Sequence, residues 1–193
     1  MIEKEIFGIL SVLLALTRFS TYFWSIFRGT TRPHLFSWLI WAILMLVAGY
    51  AQHVDGAGAG AWATVFAGFA CLSVAIISIW KGEKNITRSD WMYLIAALAA
   101  IPAWYFTDNP LWAVIIVSLI DICAFMPTFR KTWVNPYTEP PFSQSLAALR
   151  GFLSILAISN YSVITLMYPL LLVVLDTSLV LIIVLRRKFI PAF

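Results

Sequence analysis

Seven apolar runs, each long enough to cross a lipid bilayer or nearly so, follow one another with only short polar breaks in this chain. They are Ile6–Phe27, Leu35–Gln52, Gly60–Trp80, Trp91–Phe106, Pro110–Phe129, Phe142–Ser159 and Tyr161–Leu185. A helical span needs about 20 predominantly apolar residues, within about 17 to 25. In hydrocarbon every backbone N–H and C=O must be satisfied within the chain, so runs of this length predict helices. The fourth run is short and contains Pro102. The breaks are RGTTRPH, HVDGAGAG, KGEKNITRSD, TDNP, RKTWVNPYTEPP, a bare Ser159-Asn160 and a terminal RRK. The expected fold is all-α integral membrane, with seven transmembrane helices.

Composition excludes the main alternatives. Of 193 residues, 62% are hydrophobic and 11% charged, against about a quarter charged in a soluble domain. The net charge of +4 does not imply nucleic acid, because the basic residues sit at the ends of apolar segments and form no solvated face. Cys71 and Cys123 lie within apolar runs without metal-ligand spacing, and read as packing residues. No metal or cofactor site is expected. No HExxH or CxxC is present, and no nucleophile, base and orienting group share a plausible spacing, so the chain does not read as an enzyme. Glu3, Lys4 and Glu5 at the start, with Arg18 interrupting the first run, argue for a retained span rather than a cleaved leader.

Charge orients the spans. Arg28 and Arg32 follow the first, Lys81, Lys84 and Arg88 the third, Arg130 and Lys131 the fifth, and Arg186, Arg187 and Lys188 the seventh. Only Lys4 falls on the other side. The positive side is cytoplasmic, so the N-terminus is expected outside and the C-terminus inside. Trp24, Trp62, Trp80, Trp91, Trp104 and Trp112 lie near span ends, as an interfacial aromatic belt predicts.

Four ionisable residues lie deep within the apolar runs: Arg18, Asp121, Arg150 and Asp176. A charge in hydrocarbon costs several kcal/mol on most estimates, so each must be paired or solvated and each marks a candidate site. At about 1.5 Å per residue, Arg18 lies roughly 15 Å from Arg28, Asp121 about 13 Å from Arg130, and Asp176 about 15 Å from Arg186. Arg150 lies about 12 Å beyond Phe142. All four fall near the middle of a hydrocarbon core about 30 Å thick. Arg18, Tyr22 and Ser25 share one helical face, and Asp121 shares its face with Ser118, Phe125 and Thr128. Trp41 offers a stacking wall. Pro127 and Pro169 interrupt their helices and are candidate hinges. His34 and His53 lie at opposite membrane faces and read as interfacial residues. The GAGAGAW stretch at Gly56–Trp62 lacks the lysine of a phosphate loop and reads as close helix packing.

The chain also repeats itself. Phe27-Arg28, Arg32-Pro33 and Phe36-Ser37 after the first span correspond to Phe129-Arg130, Asn135-Pro136 and Phe142-Ser143 after the fifth. AIISIWK ends the third span and LIIVLRR the seventh, with Ser73 and Ser178 in equivalent places. Three spans, one linker span and three more give two parallel three-helix bundles, in a 3+1+3 arrangement. Residues 1–81 would form the first bundle, 82–109 the linker loop and helix, and 110–193 the second bundle. Repeats of this kind build secondary transporters, with the substrate site near the midplane.

This layout resembles the SWEET, SemiSWEET and PQ-loop superfamily of small transporters. Met126-Pro127-Thr128-Phe129-Arg130-Lys131-Thr132 resembles the Pro-Gln loop, with Thr128 in place of glutamine; Ser25-Ile26 occupies that place in the first half. The family's sugar carriers use a tryptophan on the second helix and an asparagine on the third helix of each bundle. Trp38 or Trp41 matches the tryptophan in the first half, whereas Gln144 to Ala148 stand there in the second. Cys71 to Ser73 and Asp176 to Ser178 stand at the asparagine level. The architecture therefore carries over and the sugar specificity does not. The KGEKNITRSDW linker is similar to that of small bacterial inner-membrane proteins, which implies a plasma-membrane location. The resulting expectation is a uniporter or proton-coupled carrier of a small polar solute. Its site would be built from Arg18, Asp121, Arg150 and Asp176 with Tyr22, Trp41, Ser73 and Ser178. The competing expectation is a non-transporting scaffold or sensor whose buried ion pairs only pin helices together.

Overall fold

The computed structural model describes residues 2–29, 33–82, 88–107, 109–137 and 141–190, and some side chains in 89–107 and at 126, 127, 130 and 131 fall outside that description. The described chain forms seven α-helices and one 3-10 turn, with no strand. The helices are α1 (Ile2–Phe27), α2 (Leu35–Val54), α3 (Trp62–Lys81), α4 (Arg88–Thr107), α5 (Pro110–Val134), α6 (Pro141–Leu156) and α7 (Val163–Arg187). The turn, Gly58–Ala61, leads into α3.

Four segments are long and apolar enough to cross a membrane among the described residues: Ile2–Phe27, Leu35–Val54, Gly58–Lys81 and Val163–Arg187. Pro110–Phe125 is a shorter apolar stretch. The chain is thus an all-helical one with membrane-spanning character. The remaining expected spans are helical as well, but α6 has only 16 residues and carries Gln144 and Arg150. Large apolar side chains such as Ile9, Leu13, Ile76, Ile79 and Leu181 lie exposed on the outside, while Asp121, Arg150 and Asp176 are buried. That distribution suits hydrocarbon outside and a polar interior.

Local signals explain most helix ends. Glu3 and Glu5 occupy the first turn of α1, where the helix dipole favours negative charge. Nδ1 of His34 accepts the Ser37 N–H at 3.4 Å and caps α2. A reciprocal Ser162–Thr165 capping box opens α7, and Arg186 and Arg187 close it. α5 runs five residues past the expected Phe129, because nothing breaks it until Asn135-Pro136, where the residue before proline leaves the helical region. Oδ1 of Asn135 then accepts the Tyr137 N–H at 3.2 Å.

The helices close into a ring. α3 packs against both α1 and α2, and α7 against both α5 and α6, while α1–α6 and α2–α5 contacts join the two sets. α4 lies outside, against α2 and α5. The C-termini of α1 and α3 meet where Lys81 lies over the Phe27 ring, and those of α5 and α7 meet where Arg186 lies over Trp133. This basic end also carries Arg28 over Trp24 and Arg187 over Tyr137. Cations held on aromatic rings at helix C-termini gain from both the quadrupole and the dipole.

Candidate functional site

The ring encloses a cavity of about 150 Å³ whose lining includes Arg18, Asp121, Arg150 and Asp176 together. α1 supplies Arg18, α5 Asp121, α6 Arg150 and α7 Asp176, so four separate helices converge on one point. Asp121, Asp176 and Arg150 are 1%, 3% and 4% exposed, and Arg18 is half-buried. Asp176 feels the charge of both arginines, and Asp121 that of Asp176 and Arg150. Yet among the described residues no ion pair of 4.0 Å or less joins any two of them. The Tyr168 hydroxyl donates to one Asp121 oxygen at 3.2 Å, and Nη1 of Arg150 reaches the Ala63 carbonyl at 3.4 Å. The other Asp121 oxygen and Nε of Arg150 have no hydrogen bond made to them within 3.5 Å. Breaking a buried pair by removing one partner costs about 3–5 kcal/mol. The charges face the cavity instead, which at about 30 Å³ per molecule has room for about five waters or one small solute.

Aromatic walls complete the lining. Phe19, Trp38 and Trp41 stand on one side and Phe125 on the other. Trp38 meets Trp41 edge-on at 5.3 Å and Phe19 edge-on at 6.2 Å, which fixes the ring orientations. Gln144 and Thr128 add neutral polar groups.

The two ends of this cavity differ. Toward the basic end, Arg18, Trp38, Trp41 and Gln144 also border a vestibule of about 660 Å³ flanked by Tyr22, Ser25, His34 and Ser37. At the opposite end, hydrogen bonds join the loop after α2 to the loop between α6 and α7. The Ser159 N–H donates to the Ala57 carbonyl at 2.9 Å, and Nδ2 of Asn160 to the Asp55 carbonyl at 2.9 Å. The Ser162 hydroxyl donates to the Asp55 carboxylate, and Nζ of Lys4 reaches the Ile158 carbonyl at 2.7 Å. Glycine makes this seam possible. A Cβ on Gly60 would stand 2.6 Å from a side-chain carbon of Ile158 and 2.9 Å from its Cα, and Gly58 sits at φ +59° against Ser159. The GAGAG stretch is therefore a close-packing element.

The expected site residues sort cleanly by position. Arg18, Asp121, Arg150, Asp176 and Trp41 line the cavity, and Tyr22 lines the vestibule with its ring 4.7 Å from Trp38. Ser73 is not brought in: it is exposed, and its hydroxyl donates to the Phe69 carbonyl at 2.9 Å. Ser178 is half-buried on α7 and lines neither space. Pro169 is buried inside α7. Pro127 lies within α5, its side chain outside the described residues, as are those of Arg130 and Lys131. Tyr168 escaped the sequence reading, since a tyrosine in an apolar run is ordinarily packing, and Cys71, which reads as packing and stands at the asparagine level of the resembled family, lines the cavity. Tyr168 lies eight residues before Asp176 on the same helix, a spacing that could have drawn attention to it.

Chemically, a lining with two carboxylates and two guanidiniums balances in charge. It holds a dipolar or neutral guest more readily than a bare ion of either sign, because each sign finds like charge beside its partner. Comparison with protein-family models, with curated proteins and with solved structures finds no match for this chain.

Proposed function

We propose that the protein is a small secondary transporter that carries a small polar solute through the charged central cavity. The observation that carries this reading is the arrangement of Arg18, Asp121, Arg150 and Asp176, which face a shared space without pairing one another. A network whose task was to pin helices would satisfy its charges mutually, since buried charge left uncompensated costs several kcal/mol. A vestibule adjoining the cavity at one end and hydrogen-bonded loops at the other fit the asymmetry that alternating access requires.

Helix neighbours support a 3+1+3 arrangement. Exchanging α1, α2 and α3 for α5, α6 and α7 turns every ring contact into another: α1–α3 becomes α5–α7, α2–α3 becomes α6–α7, and α1–α6 becomes α5–α2. The linker α4 has no counterpart. In this reading the basic end is cytoplasmic, both chain halves keep one orientation, and the vestibule opens inward.

The test is uptake of a panel of sugars, amino acids and vitamins into liposomes containing the purified chain, with internal pH followed by a trapped dye. Solute-dependent uptake by wild type that Asp121→Asn reduces at least ten-fold, with unchanged thermal melting, is the expected result. Equal traffic in protein-containing and empty liposomes across the panel would overturn the proposal.

A further inference from the structure

The chemistry of the cavity says more about its guest than polarity alone. Resting on the transport reading, we propose that the solute is a small zwitterion, an amino acid or betaine, whose carboxylate faces Arg150 and Arg18 and whose ammonium faces Asp121 and Asp176.

Three observations converge on this class. The first is charge: the lining sums to zero, with cations and anions on different helices around the same space. A guest with only a carboxylate would sit beside two aspartates, and one with only an ammonium beside two arginines. Each leaves one pair of buried charges unanswered, whereas a zwitterion answers both. The second is the set of open valences. Asp121 and Arg150 both line the cavity, and one Asp121 oxygen and Nε of Arg150 are buried with no hydrogen bond made to them within 3.5 Å, one acceptor and one donor, with Trp41 beside Asp121. The remaining Asp121 oxygen is already held by Tyr168 and one Arg150 nitrogen is turned to Ala63, so both side chains are anchored while keeping further hydrogen-bonding capacity. Polar groups left unpaired when the wrong guest enters are what give a site its discrimination.

The third is size and surface. A cavity of about 150 Å³ is one that holds a benzene-sized molecule, about six heavy atoms. Alanine, with six heavy atoms, matches that size, and a larger guest would extend into the adjoining vestibule. Trp38 and Trp41 flank the space, and indole faces attract ammonium groups, quaternary ones included.

Binding and uptake are measured separately on the full chain, binding in detergent by equilibrium dialysis and uptake in liposomes. The probes are labelled alanine and glycine betaine, with propionate, propylammonium and glucose as competitors. We expect alanine or glycine betaine to bind, with each single-charge analogue at least ten-fold weaker. Asp121→Asn should weaken zwitterion binding at least ten-fold while propionate becomes the better competitor, a change of preference that mere unfolding cannot produce. Arg150→Lys serves as the matched variant on the other sign and should shift preference toward propylammonium. Zwitterion binding without uptake would uphold this inference and overturn the transport reading. Uptake of glucose or of a single-charge analogue without zwitterion binding would overturn the inference and leave transport standing. Absence of zwitterion binding in any other pattern overturns it as well.

Discussion

Helices α1–α3 and α5–α7 have the same neighbours but furnish the cavity with opposite chemistry. The first set gives an aromatic wall, Phe19, Trp38 and Trp41, with one half-buried charge, Arg18. The second gives three nearly inaccessible charges, Asp121, Arg150 and Asp176, with Phe125 as an aromatic ring. Equivalent places among helix neighbours need similar packing but not the same polarity. Similar helix contacts can thus surround an unevenly charged cavity.

Substitutions that erase this difference should have graded effects. Arg150→Ala, in the charged set, is expected to be the most damaging. It leaves two buried carboxylates with Arg18 as the one cation beside them, and should lower stability by several kcal/mol and abolish uptake, read by thermal melting and the liposome assay. The seam between the two sets comes next. Gly60→Val drives a side chain into Ile158, and overpacking should cost about 1–3 kcal/mol in a melting or denaturant series. Trp41→Phe, in the aromatic set, should keep the fold and weaken solute binding several-fold, visible as a raised half-saturation without loss of maximal uptake. Asn160→Ala removes one hydrogen bond across the seam and should cost about 1 kcal/mol. Ser73→Ala should change stability by less than about 0.5 kcal/mol and leave uptake untouched, since its hydroxyl only bonds back to its own helix. A large effect there would mean that the exposed face of α3 contributes to the site and that the cavity is not the whole of it.

How much of this was readable in advance depended on distance along the chain. Helix positions followed from run length, and the polar stripes Arg18–Tyr22–Ser25 and Ser118–Asp121–Phe125–Thr128 from helical periodicity, since each needs only residues within three turns, although Ser118 is buried and lines neither space. Ser73 and Ser178 were candidates through their place in the repeat. Correspondence along a sequence fixes depth but not which way a side chain turns, and neither lines the cavity. The partners of Asp121 and Arg150 were out of reach for the same reason: Tyr168 lies 47 residues from Asp121, and Ala63 lies 87 from Arg150.

The apolar runs, their polar breaks and the side on which the basic residues gather belong to the sequence alone, because solvent selects them by composition and length. So does the common depth of the four charges, which is a matter of counting residues at a fixed rise. Only the tertiary structure decided that those charges would line one cavity without pairing, that loops would be hydrogen-bonded at one end while a vestibule adjoins the cavity at the other, and which aromatic rings would wall the space. Those features depend on helix rotation and on contacts between segments more than a hundred residues apart, such as Asp55 with Asn160. Periodicity defines a helix's faces; packing against its neighbours chooses which face looks inward.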